Sequence, residues 1–159
     1  MSWHVTQSIG GPIARDTLKA LFEEAADLGL LVEASDEHAQ TVLETVGALD
    51  GDIDGLVSTD GNVAFVAPLS RYSSFPSMEA ICREASIPFI TIVGADEEAN
   101  GQTSWWRPGM TETVSCETDH DAQPVVTIAE VKAAHKAGTI AELIEASAVP
   151  ELEPTTILD

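Results

Sequence analysis

Hydrophobic and polar positions change period several times along the chain, and each change marks an element. Trp3, Val5 and Gln7 alternate with His4, Thr6 and Ser8, the period of a strand, which stops at Gly10-Gly11-Pro12. From residue 14 to 30 the period becomes helical: Leu18, Leu21, Phe22, Ala25 and Leu28 share one face, while Asp16, Glu23, Glu24 and Asp27 share the other, with Lys19 among them. Ser35 suits the cap of a second helix over residues 36–49, which turns Ala39, Val42, Leu43 and Val46 inward and adds Asp36, Glu37 and Glu44 to an acidic outside. Residues 53–58 and 63–67 read as the arms of a β-hairpin about an Asp60-Gly61 turn.

The middle of the chain predicts a short helix running almost directly into a buried strand. Met78, Ile81, Cys82 and Ala85 recur at helical spacing; Pro76 suits a first turn, where a missing N–H costs nothing, and Ser74 is placed to cap it. Pro88 disfavours helical geometry at Ile87, so the helix is expected to end near Ser86. Residues 87–93 then form an apolar run rich in β-branched side chains, interrupted by Thr91, whose hydroxyl is able to bond locally. Polar residues 95–104 predict a loop, and Trp105-Trp106 a strand whose successive side chains point to opposite faces. At least one indole can then stand outside the core beside Arg107, as an interface anchor; the alternative packs one ring inward and sets the other on a sheet edge. Residues 111–118 alternate again, and Asp119-His120-Asp121 is their turn. Thr127-Ile128-Ala129-Glu130 and Thr139-Ile140-Ala141-Glu142 each carry a capping-box pattern and begin two short helices separated by Gly138.

These elements predict an α+β fold, a mixed or antiparallel sheet of about five strands with helices packed on it, in the order strand, helix, helix, hairpin, helix, strand, strand, helix, helix. Residues 1–148 are expected to form one domain, and 149–159, with Pro150 and Pro154, an extended acidic tail.

Charge changes this picture most. The 159 residues carry 27 Asp and Glu against 7 Lys and Arg, a net charge of −20, yet 44% of positions are apolar, enough for a folded core. Residues 55–94 hold only three acids and two bases, so 24 of the acids lie outside this middle. Such a balance argues against general binding to nucleic acid or anionic membrane. It leaves a surface adapted to high salt, which the scarcity of Lys favours, or a surface that meets a basic partner. Along the helix at 14–30, Asp16, Glu23 and Asp27 fall on one line about 6–10 Å apart, a coarse likeness of a phosphate row and also the pattern of a solvated helix face. No apolar run is long enough to span a bilayer, the first residues lack the basic and apolar character of a secretion signal, and two cysteines make no disulfide framework, so a cytoplasmic setting is expected.

Catalytic patterns are weak. No nucleophile elbow, Walker loop, His-Glu-x-x-His or Cys-x-x-Cys is present. Asp50, Asp52, Asp54, Gly55 and Val57 match the start of a calcium-binding loop, but Gly61 stands where the bidentate Glu belongs. Cys116, His120 and His135 lack the spacing of zinc ligands, and Cys82 on an apolar helix face reads as core. No metal, cofactor or nucleophile–base pair is therefore assigned, and a small enzyme or metal-dependent module is the weaker class.

Over residues 72–140, Ile81-Cys82-Arg83-Glu84-Ala85, Ile87-Pro88-Phe89, Arg107-Pro108-Gly109-Met110 and Pro124-Val125-Val126 before a helix resemble small uncharacterised accessory proteins carried by phages and plasmids. The resemblance implies a mobile-element setting and brings no site residues with it. By analogy, small acidic proteins in that setting include anti-CRISPR inhibitors of host defence that bind surfaces made for nucleic acid. The expected function is thus a non-catalytic acidic inhibitor. Its partner-binding set is Asp16, Glu23, Glu24, Asp27, Asp36, Glu37, Glu44, Trp105, Trp106 and Arg107, and its partner is the basic surface of a nucleic-acid-binding protein.

Overall fold

The computed structural model describes residues 3–34, 39–42, 53, 57, 61–95 and 99–158. Its strands are β1 (Trp3–Ile9), β2 (Pro12–Ala14), β3 (Leu31–Ala34), β4 (Ala39–Val42), β5 (Val63–Ser70), β6 (Phe89–Val93), β7 (Gly101–Trp106), β8 (Val114–Thr118) and β9 (Thr156–Leu158). Its helices, among the described residues, are α1 (Arg15–Asp27), α2 (Pro76–Glu84), α3 (Ile128–Ala137) and α4 (Ile140–Ala146). The fold is α+β. Seven strands form one antiparallel sheet in the order β4-β3-β5-β1-β6-β7-β8, and β2 and β9 form a small parallel pair.

Alternation along β1 decides which face is the inside. Val5, Gln7 and Ile9 are fully buried and align with Ala67, Phe65 and Val63 of β5 on one side and Val93, Thr91 and Phe89 of β6 on the other. Leu18, Leu21, Phe22 and Ala25 of α1 and Met78 and Cys82 of α2 complete one core cluster on that face, where Phe22 meets Phe65 edge-on at 5.9 Å. Leu18, Leu21, Phe22 and Ala25 are buried as the helical period marks, but Leu28, expected on the same face, is exposed: the helix stops at Asp27, and Gly29, at a positive φ of 69°, turns the chain so that Leu30 enters the core instead.

Residues 101–104, expected in a loop, are instead the first part of β7, and α2 is capped at Phe75 with no side-chain hydrogen bond, not by Ser74. Two further expectations fail through strand pairing. Residues 39–42 are a strand and not part of a helix over 36–49; Leu31, Val32, Glu33 and Ala34 pair antiparallel with Val42, Thr41, Gln40 and Ala39. The rest of that expected helix lies outside the described residues. Residues 63–67 are a strand, but β5 pairs with β1 and β3 and not with a hairpin arm at 53–58. Of that arm, Ile53 and Val57 are described, and Ile53 is a buried member of the core. In both cases tertiary pairing with a buried central strand outweighs local preference.

The path β1-α1-β3-β4 is repeated by β5-α2-β6-β7. With β8 set aside, exchanging β1 with β5, β3 with β6 and β4 with β7 returns the order of the other six strands read backwards, a pseudo-two-fold arrangement. Across its middle runs one row of aligned positions on the core face, Val32, Phe65, Gln7 and Thr91. Half of the row is apolar and half polar. Gln7 Nε2 donates to Thr91 Oγ1 at 3.3 Å, so the Thr91 hydroxyl is used across strands, and Gln7 Oε1 has no hydrogen-bond partner among the described residues.

The C-terminal residues are built into the domain. The buried Thr155 hydroxyl donates to Ile9 O at 2.7 Å and accepts from Val63 N–H at 3.1 Å, which clasps the ends of β1 and β5. Gly11 N–H donates to Glu153 O, and Thr156 N–H donates to Gly11 O. Gly10 is required for this approach, since a Cβ there would lie 2.6 Å from Glu153 O and 2.7 Å from Leu152 Cβ. Gly10-Gly11 thus serves the passage of the chain's own end.

Two stability measurements follow from these buried polar groups. Thr155→Val keeps the shape but orphans Ile9 O and Val63 N–H; urea titration is expected to show a loss of about 1–3 kcal/mol with an unchanged slope. Gln7→Met with Thr91→Val removes the polar half of the row together with its unpartnered carbonyl, and is expected to leave stability unchanged or raise it by about 1 kcal/mol.

Candidate acidic interface

The outer face of α1 is the site the sequence singles out. Asp16 begins its first turn, where a carboxylate complements the helix dipole, and no side chain caps the helix at Ala14. Because the buried stripe of Leu18, Leu21, Phe22 and Ala25 faces the sheet, the opposite line carries Asp16, Glu23 and Asp27 outward. Asp16 and Asp27 are exposed; Glu23 and Glu24 are half-buried against the helix surface. Glu84 of α2 joins Asp16 across a groove between the two helices, whose walls also include Thr17, Ala20, Ile81 and Ala85. The row is thus extended by a carboxylate that the sequence spacing had not linked to it. Asp36, Glu37 and Glu44 lie outside the described residues.

The tryptophans do not join this surface. Trp105 and Trp106 are 4% and 7% exposed. Trp106 enters the main core, stacks on Phe89 with ring centroids 5.9 Å apart, and donates from Nε1 to Met110 O at 3.0 Å. Trp105 points to the opposite face, as alternation requires, and is buried there too. The expectation of an exposed indole anchor is therefore corrected: β7 lies between β6 and β8 and has no free edge, and both faces of the sheet are covered where the two rings stand. Arg107, just past the strand, is exposed and sits beside Glu151 and Glu153 in a small cleft of about 150 Å³.

Titratable groups inside the fold are structural in their surroundings. Cys82 is fully buried on α2, and its thiol is pushed up to about 12, first by burial, then by the nearby Glu79 carboxylate, with the Arg83 charge opposing. That is the reverse of an activated thiolate. Burial raises the carboxyl of Glu79 and Arg83 partly offsets it, while the Arg83 guanidinium lies 5.6 Å from the Phe89 ring centroid and donates to Thr113 Oγ1. Among the described residues no group of three or more His, Cys, Asp and Glu side chains is placed to hold a metal ion. The Thr127 capping box is formed, with Glu130 N–H on the Thr127 hydroxyl and Thr127 N–H on the Glu130 carboxylate. The second box is not, because the Thr139 hydroxyl turns back to Ala134 O.

Comparison with known proteins adds no relative: no protein-family model, no curated protein and no solved structure matches this chain. Among the described residues no helix is long and apolar enough to cross a membrane.

Sequence reasoning missed a cavity of about 790 Å³ beyond the C-terminal end of α1, where Leu28 and Leu30 meet Leu69, Tyr72 and Phe75. The available signal was Leu69 and Tyr72, two large apolar side chains close together in Leu69-Ser70-Arg71-Tyr72.

Two expected outcomes test these surroundings. In the native protein Cys116, which is half-buried, is expected to react with a thiol reagent while Cys82 reacts only after unfolding, so mass spectrometry finds single modification without denaturant. For Glu79, a folded pKa above the ordinary 4.5 means that its stabilising contribution is full at low pH and is lost as pH rises through the folded value. Glu79→Gln is therefore expected to be more stable than the native chain at pH 7, with the difference shrinking toward pH 4, in paired urea titrations.

Proposed function

We propose that this chain is a non-catalytic binding protein whose α1 face occupies the basic, nucleic-acid-binding surface of another protein. The observation that carries the reading is the row Asp16–Glu23–Asp27 on the outside of α1, continued by Glu84 across the groove to α2. Carboxylates at about 6–10 Å along a rigid helix offer a cationic groove the sign and coarse spacing of a phosphate backbone without its bases. Charge of this kind chiefly speeds encounter and excludes wrong partners, and the complex would weaken with salt. The resemblance of residues 72–140 to phage- and plasmid-borne proteins makes a CRISPR-type host defence protein the partner to try first.

A second reading has an observation of its own. Exposed acids also stand on elements far from α1 in sequence, including Glu112, Glu117, Asp121, Glu142, Glu145, Glu151 and Glu153. A charge spread over many elements suits a surface that stays hydrated at high salt, with no partner required.

Competition between this protein and an oligonucleotide for a CRISPR effector tests the first reading. The native chain is expected to displace the oligonucleotide, and Asp16→Lys/Glu23→Lys/Asp27→Lys to do so at least about tenfold less well; equal displacement by both would remove α1 from the mechanism. Thermal melts from 0.1 to 3 M KCl test the second. It requires folding to be lost at low salt and regained at high salt, and a cooperative melt that ignores added salt sinks it.

A further inference from the structure

We infer that the cavity at the C-terminal end of α1 is the anchor socket of that same interface, and that its occupant is an uncharged apolar side chain, aromatic or leucine, carried by a partner segment whose Lys and Arg residues lie over α1. The inference rests on the acidic-face reading and deepens it. Trp105 and Trp106 are buried and Trp3 is half-buried against the core, so among the described residues no indole is exposed, and the apolar surface that follows the acid row is concave. The place for a partner's anchor is continuous with the acids: Leu28 and Gly29 line the cavity directly after Asp27, the last carboxylate of the row. Leu28, Leu69 and Tyr72 are 45%, 83% and 74% exposed, three large apolar side chains around one concavity on a chain of net charge −20. The volume of about 790 Å³ falls within the roughly 300–1,000 Å³ of sites that enclose a small ligand, room for one or two large side chains. Arg71 also lines it, which argues against a cationic occupant, and the surrounding leucines and aromatic rings favour an apolar one. A Lys or Arg entering the cavity would meet Arg71, whereas one lying over α1 meets Asp16, Glu23 and Asp27. Basic residues along the helix and an apolar residue beyond its end is the order in which the two surfaces follow one another.

Fluorescence anisotropy with synthetic peptides tests this. The probes are a labelled nine-residue Lys/Arg-Gly peptide extended by Trp, at either end, and the same peptides extended by Ser. At low salt the native chain is expected to bind the better-oriented Trp peptide about tenfold or more tighter than its Ser counterpart. Leu69→Ser/Tyr72→Ser, at two exposed positions, is expected to abolish that gain while leaving Ser-peptide binding and Tm unchanged. Asp16→Lys/Glu23→Lys/Asp27→Lys is expected to weaken both peptides. Equal binding of Trp and Ser peptides by the native chain, or a gain that survives Leu69→Ser/Tyr72→Ser, overturns the socket and leaves the acidic face standing. Failure of every peptide to bind at low salt overturns the acidic face itself.

Discussion

A strand in the middle of a sheet has to find two partners, and here the first strand of the chain is that strand. β1 pairs with β5, about sixty residues later, and with β6, more than eighty residues later. Its Val5, Gln7 and Ile9 are fully buried, so this strand is completed only when those distant segments have packed beside it. The last residues then close what the first began, since one hydroxyl, that of Thr155, joins Ile9 of β1 to Val63 of β5. Such long-range closure costs chain entropy before it returns contact energy, which places this fold among slowly nucleating topologies.

The pseudo-two-fold arrangement shows how one plan tolerates unlike chemistry. At aligned positions across the middle of the sheet, β3 and β5 contribute Val32 and Phe65, and β1 and β6 contribute Gln7 and Thr91. The apolar pair is completed by Phe22 of α1. The polar pair satisfies itself only partly, leaving Gln7 Oε1 unpartnered in a core that otherwise takes apolar side chains from both helices. Among the described residues Glu79 is the one carboxyl drawn toward the interior, and its charge is offset in part by Arg83 one turn on.

That separation of an uncharged inside from an acidic outside frames both readings of function. Burial of Trp105 and Trp106 removes these two rings as projecting anchors, and the shape that follows the acid row is concave. Electrostatics alone gives fast and salt-sensitive encounter, whereas residence depends on desolvated apolar contact. A helix that ends in a cavity supplies the two in sequence, with Asp27 as the junction between them.

The amino-acid pattern determined the local features whose cause is local. The apolar face of α1, the Pro76 start of α2, the buried run of β6, the alternation of β8 and the Thr127 capping box can all be read from residues within one or two turns of each other. Net charge and its absence from residues 55–94 were equally legible, since counting needs no fold. Tertiary structure decided whatever depends on a neighbour distant in sequence. Ala39-Gln40-Thr41-Val42 is a strand because β3 lies beside it. Gly10 is a glycine because Leu152 and Glu153 pass against it. Trp105 and Trp106 are buried because both faces of the sheet are covered at their positions. Periodicity tells which side chains share a face, but whether that face meets water is fixed only when the rest of the chain has packed, because burial is a property of the assembled layers and not of the segment.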